Sequence, residues 1–145
     1  MPERVPDLVR SFATLQEIPV IRADLRKLVA RNGDAEFVEA AVLAATELLN
    51  NCVLHTDDRC RLAAWVLSPI GLRVEVDDCS SDPAGMALAP RTEGGGRGLQ
   101  IVHALATTWG VEIRSGGKTV WFEMLREHGA QSRRRHLTTP IERPR

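Results

Sequence analysis

Glu47-Leu48-Leu49-Asn50-Asn51-Cys52-Val53-Leu54-His55 closes a run, residues 35–54, that lacks glycine and proline and is rich in helix formers. On a helix, positions four apart stack on one side. Glu47, Asn51 and His55 therefore make a polar stripe spread over roughly 80° of the surface. Val38, Ala41, Ala45, Leu48, Leu49 and Cys52 gather on another side, suited to a core. A carboxylate, an amide and an imidazole beside an apolar face fit two descriptions. One is an ordinary solvated helix face. The other is the wall of a site, with Glu47 as base or water-holder and Asn51 offering an amide oxygen to a hard cation.

Around this helix the chain is of single-domain size. It has 145 residues, 43% hydrophobic and 26% charged, enough for one core. Basic and acidic residues number 19 each, but the balance is uneven along the chain. Residues 126–145 hold six arginines and two glutamates, which leaves 13 basic and 17 acidic residues in 1–125. A mildly acidic folded part offers no broad platform for nucleic acid. Cys52, Cys60 and Cys79 are odd in number and lack CxxC spacing, which argues against a disulfide framework or a cysteine-rich zinc site. Reduced thiols in a cytoplasm are the expectation. No signal pattern and no apolar run of membrane-spanning length is read from the chain, so the expected location is cytoplasmic, with no membrane contact.

Taken in order, residues 1–7 are polar and expected to be loose. Residues 8–15 read as a first strand, and 20–31 as a helix with Ile21, Leu25, Leu28 and Val29 on one side. Asn32-Gly33 stops that helix and Asp34 caps the next. Residues 60–67 and 72–77 read as a hairpin turning at Ser68-Pro69-Ile70-Gly71. A loop of roughly a dozen residues follows, longer than most connections. Beyond it come a helix led by Gly94-Gly95-Gly96-Arg97-Gly98, strands at 109–114 and 119–125, and an Arg-rich tail at 126–145 expected to be disordered. Hairpins interleaved with helices predict an α+β, two-layer sandwich: a mixed, mostly antiparallel sheet with helices on one face.

Two further features carry chemistry. Glycines opening a helix let an anion approach the backbone, and the helix start presents free N–H groups. Arg97 adds a possible charge-assisted contact. The alternative is a plain loop hinge. The pattern is neither Walker A nor a dinucleotide fingerprint. Asp78 stands just past a half-buried strand, either as a turn former or as an acceptor for a ligand donor.

Four of these segments resemble boxes of the GHKL (Bergerat-fold) ATPase superfamily, in that superfamily's order, over about residues 8–125. Glu47-Leu-Leu-Asn-Asn51-Cys-Val-Leu-His55 is similar to its E-L-x-x-N-A-x-x-H box. Val74-Glu-Val-Asp-Asp78 resembles the strand that delivers an adenine-reading Asp. Gly96-Arg-Gly98-Leu99 resembles the second glycine box. Gly117-Lys-Thr119-Val-Trp-Phe122 is similar to the last strand, whose Thr supports that Asp. The compact length and the last two boxes most resemble the single-domain anti-sigma-factor serine/threonine kinases, which bind a sigma factor and phosphorylate a serine on a small antagonist protein.

The resemblance implies a histidine-kinase-like ATPase fold with ATP and Mg²⁺ as cofactors. Asn51 would hold Mg²⁺, and Glu47 would be the catalytic base or would orient the attacking hydroxyl. Asp78 would read adenine N6, backed by Thr119. Gly96, Arg97, Gly98 and Leu99 would line the phosphates, under a lid formed by residues 79–93. Implied partners are a sigma factor and its antagonist, with a possible homodimer. Ser80 and Asp82 stand where the family usually has glycines, which keeps a second reading open: a partner-sequestering regulator without chemistry. The catalytic domain of a two-component histidine kinase ranks third, because no phosphoacceptor helix pair is present in the sequence.

Overall fold

A computed structural model describes residues 4–56, 58–78 and 96–126 of the chain. The elements run β1 (Leu8–Phe12), a 3-10 turn (Leu15–Glu17), α1 (Ile18–Val29), α2 (Ala35–His55), β2 (Cys60–Leu67), β3 (Gly71–Asp78), α3 (Gly96–Leu105), β4 (Thr108–Arg114) and β5 (Gly117–Leu125). The strands form one five-stranded sheet in the order β1-β2-β3-β5-β4. Every neighbouring pair is antiparallel. The α+β expectation holds, and the sheet is simpler than the mixed one foreseen.

Period-two alternation gives the sheet two different sides. Leu62, Ala64, Leu72, Val74, Val76, Phe122 and Met124 are buried against Leu25, Leu28 and Val29 of α1, Ala41, Ala45, Leu48 and Leu49 of α2, and Val102 of α3. Leu62, Leu72, Val74 and Phe122 are fully enclosed. Each large side chain so buried contributes about 1.5–3 kcal/mol. The other side is covered by its own long side chains. Arg73 lies 4.5 Å above the Trp121 ring and donates to Glu75 and Glu123 at 2.9 Å each.

The first strand stops earlier than its apolar pattern suggests. The Glu17 carboxylate accepts from the backbone N–H groups of Ala13 and Thr14, both at 3.0 Å, and turns the chain into α1. Those two bonds, with the Thr14 hydroxyl, hold Glu17 below the usual carboxylate range. Pro19 then sits in the first turn of α1, where its missing N–H costs nothing. Asp34 caps α2 as expected, accepting from Phe37 N at 2.8 Å.

Three expectations need correction. Residues 4–7 are not loose: Asp7 N donates to Ala64 O at 2.8 Å, Val66 N to Asp7 Oδ2 at 2.8 Å, and the Trp65 indole to Arg4 O at 2.9 Å. These bonds extend the pairing along β2. α2, at 21 residues, is long and apolar enough to span a bilayer by length and composition. Half of that stretch is buried inside the domain, because α2 is the central core helix. Finally, Cys52 and Cys60 are joined in a disulfide, not held as separate thiols. The pairing follows from the fold: the end of α2 and the start of β2 lie side by side, with Cα atoms 6.6 Å apart. Residues 1–3, Cys79, the expected lid at 79–93 and the tail beyond Arg126 lie outside the described residues. Arg126 itself is anchored, donating to Asp34 at 2.8 Å while its backbone N–H reaches Ile70 O.

Candidate functional site

The site grows from α2. Its apolar arc packs on the sheet and turns Glu47 and Asn51 to the margin, where both are half-buried; His55, at the helix end, is exposed. α3 packs along α2, with Val102 inserted into the core. Gly98, in the first turn of α3, comes so close that a Cβ there would lie 3.2 Å from Glu47 Oε1 and 3.7 Å from Glu47 Cβ. The glycine box thus meets the carboxylate of the long helix, as the two motifs require. Only a residue without a side chain allows this approach unstrained. Withdrawal from water raises the Glu47 carboxyl above its ordinary pKa. That is the direction expected of a group prepared to take a proton.

Asp78 ends β3 on the helix-covered side of the sheet. A cross-strand row runs Phe12, Cys60, Asp78, Lys118, each residue directly opposite the next. Directly opposed residues share a face, so this row points towards the helices. Cys60 carries the disulfide to Cys52, the neighbour of Asn51. The covalent link therefore brings the amide end of the α2 stripe towards the tip of β3. Glu47, Asn51, Asp78 and Gly98, scattered along the sequence, converge around one end of α2.

Thr119 does not join them. Its hydroxyl donates to Asp77 Oδ1 at 2.7 Å, and Asp77 is the residue opposite it in the ladder. Asp77 and Thr119 belong to the far side of the sheet, where Arg61 and Arg114 each approach Asp77 at 3.6 Å. The expectation that Thr119 backs Asp78 is corrected: a shift of one residue along a strand turns a side chain to the other face. Lys118 holds that position instead. Its Nζ donates to Asp78 Oδ2 at 2.9 Å, with the side chains 17% and 8% exposed. Lys118 is the site residue that reading the motif overlooked, although parity with Val120, Phe122 and Met124 would have identified it.

Gly96, Arg97 and Leu99 occupy the opening turn of α3 with Gly98. Leu99 packs against the core; the Arg97 side chain lies outside the described residues. Among the described residues no three His, Cys, Asp or Glu side chains gather as a metal-binding group. Asn51 would thus be a single protein oxygen to a cation held chiefly by phosphates, the usual arrangement for Mg²⁺ with nucleotides.

Comparison with known proteins agrees with this fold. The fold is similar to a chain in the crystal structure of the RsbU and RsbW domains of Rv1364c from Mycobacterium tuberculosis, with a TM-score of 0.61 and 23% sequence identity. The match covers 84% of the present chain and 33% of that one, so the chain spans about a third of the length of its structural relative. A search of curated proteins finds no match. The family described as histidine kinase-like ATPase domain matches residues 12–124, nearly the whole of the sheet and all its helices. On that match, and on the meeting of its helix, strand and glycine boxes around α2, the chain belongs to the histidine kinase-like ATPase domain family.

Proposed function

We propose that the protein binds Mg-ATP at the end of α2 and transfers its γ-phosphoryl group to a serine of a small antagonist protein, in the manner of anti-sigma-factor kinases. The observation that carries this reading is the contact between Gly98 and the desolvated Glu47 carboxylate, with Asp78 on the same side of the sheet. Asp78 accepts the adenine N6 amino group. The opening turn of α3, with Gly96, Arg97, Gly98 and Leu99, gives N–H groups and charge to the phosphates. Asn51 supplies an amide oxygen to the metal, which when bound neutralises phosphate charge.

In the transfer step Glu47 takes the proton of the serine hydroxyl. The serine oxygen bonds to the γ-phosphorus, the bond from phosphorus to the β-phosphate oxygen breaks, and ADP leaves. In this reading the protein holds a sigma factor when the antagonist is phosphorylated.

Titration with Mg-ATP tests the proposal. Binding is expected within the range of roughly 1 μM to 1 mM usual for enzyme substrates. Asp78→Asn is expected to lower affinity about tenfold or more, and Glu47→Gln to abolish phosphoserine formation on an antagonist while leaving nucleotide bound. Failure of the wild type to bind any adenine nucleotide at millimolar concentration would overturn it.

A further inference from the structure

We propose that the Cys52–Cys60 bridge is a redox switch on the nucleotide site: Mg-ATP binds the bridged protein more tightly than the reduced one. This rests on the reading that the end of α2 holds Mg-ATP. The observation is where the bridge stands. Cys52 follows Asn51 in the last turn of α2, and Cys60 opens β2 directly opposite Asp78. One bond therefore joins the helix that carries Asn51 to the strand beside the tip of β3.

A dithiol is the reductant the switch answers to. One of its thiolates attacks a bridge sulfur, the bond between the cysteines breaks, and a mixed disulfide forms. The second sulfur of the reductant then closes its own disulfide, and the attacked cysteine leaves. Cys52 and Cys60 end as thiols, having gained two electrons and two protons between them. The approach is by the last turn of α2, where Leu54 and His55 are exposed and helix ends fray. Reduction then alters the junction in two ways. Unbonded sulfurs must stand at contact distance, yet Cys52 and Cys60 are 6% and 1% exposed in a close-packed core. Cys60 is paired on both sides, to Phe12 of β1 and to Asp78 of β3, whereas α2 ends three residues beyond Cys52. The end of α2 is therefore the part that yields. Cys52 also gains a hydrogen, and the Asp77 carbonyl oxygen, 3.9 Å from its sulfur, is the acceptor it meets. Both changes act on the spacing between Asn51 and the tip of β3.

A ligand that touches both α2 and β3 senses that spacing, and misplacement of a binding group weakens it. Linkage makes the coupling reciprocal: if the bridge tightens Mg-ATP by some factor, Mg-ATP protects the bridge from reduction by the same factor. ATP and thiol reductants share a compartment in which disulfides are rare and, when present, transient and redox-sensing. A bridge built into an ATP site meets both.

The test is calorimetric titration of Mg-ATP into the full chain, oxidised and after reduction with dithiothreitol. Reduction is expected to weaken binding about fivefold to fiftyfold, the usual range for two coupled equilibria. Cys52→Ser with Cys60→Ser is expected to bind as the reduced form does and to ignore dithiothreitol. In buffers of reduced and oxidised dithiothreitol, saturating Mg-ATP is expected to raise the ratio that opens half the bridges by the same factor. A bridge that only staples the fold would shift the urea midpoint and move none of these readings. Equal affinity in the two forms, each folded by circular dichroism, overturns the switch and leaves the ATP site standing. A reduced form that has lost its fold, or a double variant that still responds to dithiothreitol, does the same. If neither form binds Mg-ATP, the nucleotide-site reading falls and this inference with it.

Discussion

Gly98→Ala separates stability from activity, because the added methyl group acts on each by a different route. Alanine in place of glycine in a helix interior is worth about 0.8–1.0 kcal/mol; we take roughly half of that in the opening turn of α3. Against this, the new Cβ would stand 3.2 Å from Glu47 Oε1. Restoring ordinary contact needs a shift of a few tenths of an ångström at the tip of a flexible side chain, at about 0.5–1 kcal/mol of rotamer strain. The two terms nearly cancel, so urea denaturation is expected to show a change within about 0.5 kcal/mol. The functional effect is one-sided. The methyl displaces the carboxylate that receives the proton and narrows the phosphate approach, and misplacement approaching 1 Å costs about a hundredfold in rate. Single-turnover conversion of Mg-ATP to ADP is expected to fall at least tenfold. A variant of unchanged stability that turns over ATP at the wild-type rate would refute the claim that Gly98 and Glu47 face a reacting phosphate together.

Glu47→Gln removes a carboxylate whose pKa is raised by burial. The raised pKa costs stability wherever the group is charged, above the folded value, and that cost fades as pH falls towards 4.5, the ordinary value. The variant is expected to melt higher than wild type at pH 7.5, with the advantage shrinking in melts run at successively lower pH. Asp34 has the opposite sign: the Phe37 N–H bond holds its pKa down, with Arg126 adding to the effect. Its stabilisation is present above 3.8 and lost as pH falls through the depressed value, so Asp34→Ala should destabilise at pH 7 and much less at pH 2–3, as acid titration of unfolding would show. The Cys52–Cys60 bridge spans a sequence separation of 8, and loop-closure entropy makes it worth about 2.5 kcal/mol. Urea curves with and without a dithiol reductant, and for Cys52→Ser with Cys60→Ser, should differ from wild type by that amount.

Much of this architecture could be read from residue order because the signals were local. The uninterrupted run through α2 and the cap at Asp34 declared the long helix. The alternation of Leu72, Val74 and Val76 declared the buried side of β3. The glycines at 96 and 98 marked the start of α3, and the spacing from Glu47 to Asn51 placed both on one half-buried margin of α2. What escaped depends on which chain segments become neighbours. The anchoring of residues 4–7 needs the edge of β2 and the Trp65 indole beside it. The disulfide needs the reversal between α2 and β2, which brings two cysteines without diagnostic spacing into contact. Thr119 and Lys118 differ by one position, and motif similarity tolerates such an offset. The pleat does not, because it assigns the two residues to opposite faces.

The bridge between Cys52 and Cys60 also decides which elements of the domain are joined covalently. Helix α2 is riveted to the sheet one residue beyond Asn51, at the strand position facing Asp78. A covalent bond holds those two elements together at that point. α3 is joined to that frame by packing alone, with Gly98 against Glu47, Val102 enclosed, and Leu99 and Leu105 resting on the core. The spacing between Asn51 and the tip of β3 is thus set by a covalent link, and that between α2 and α3 by packing.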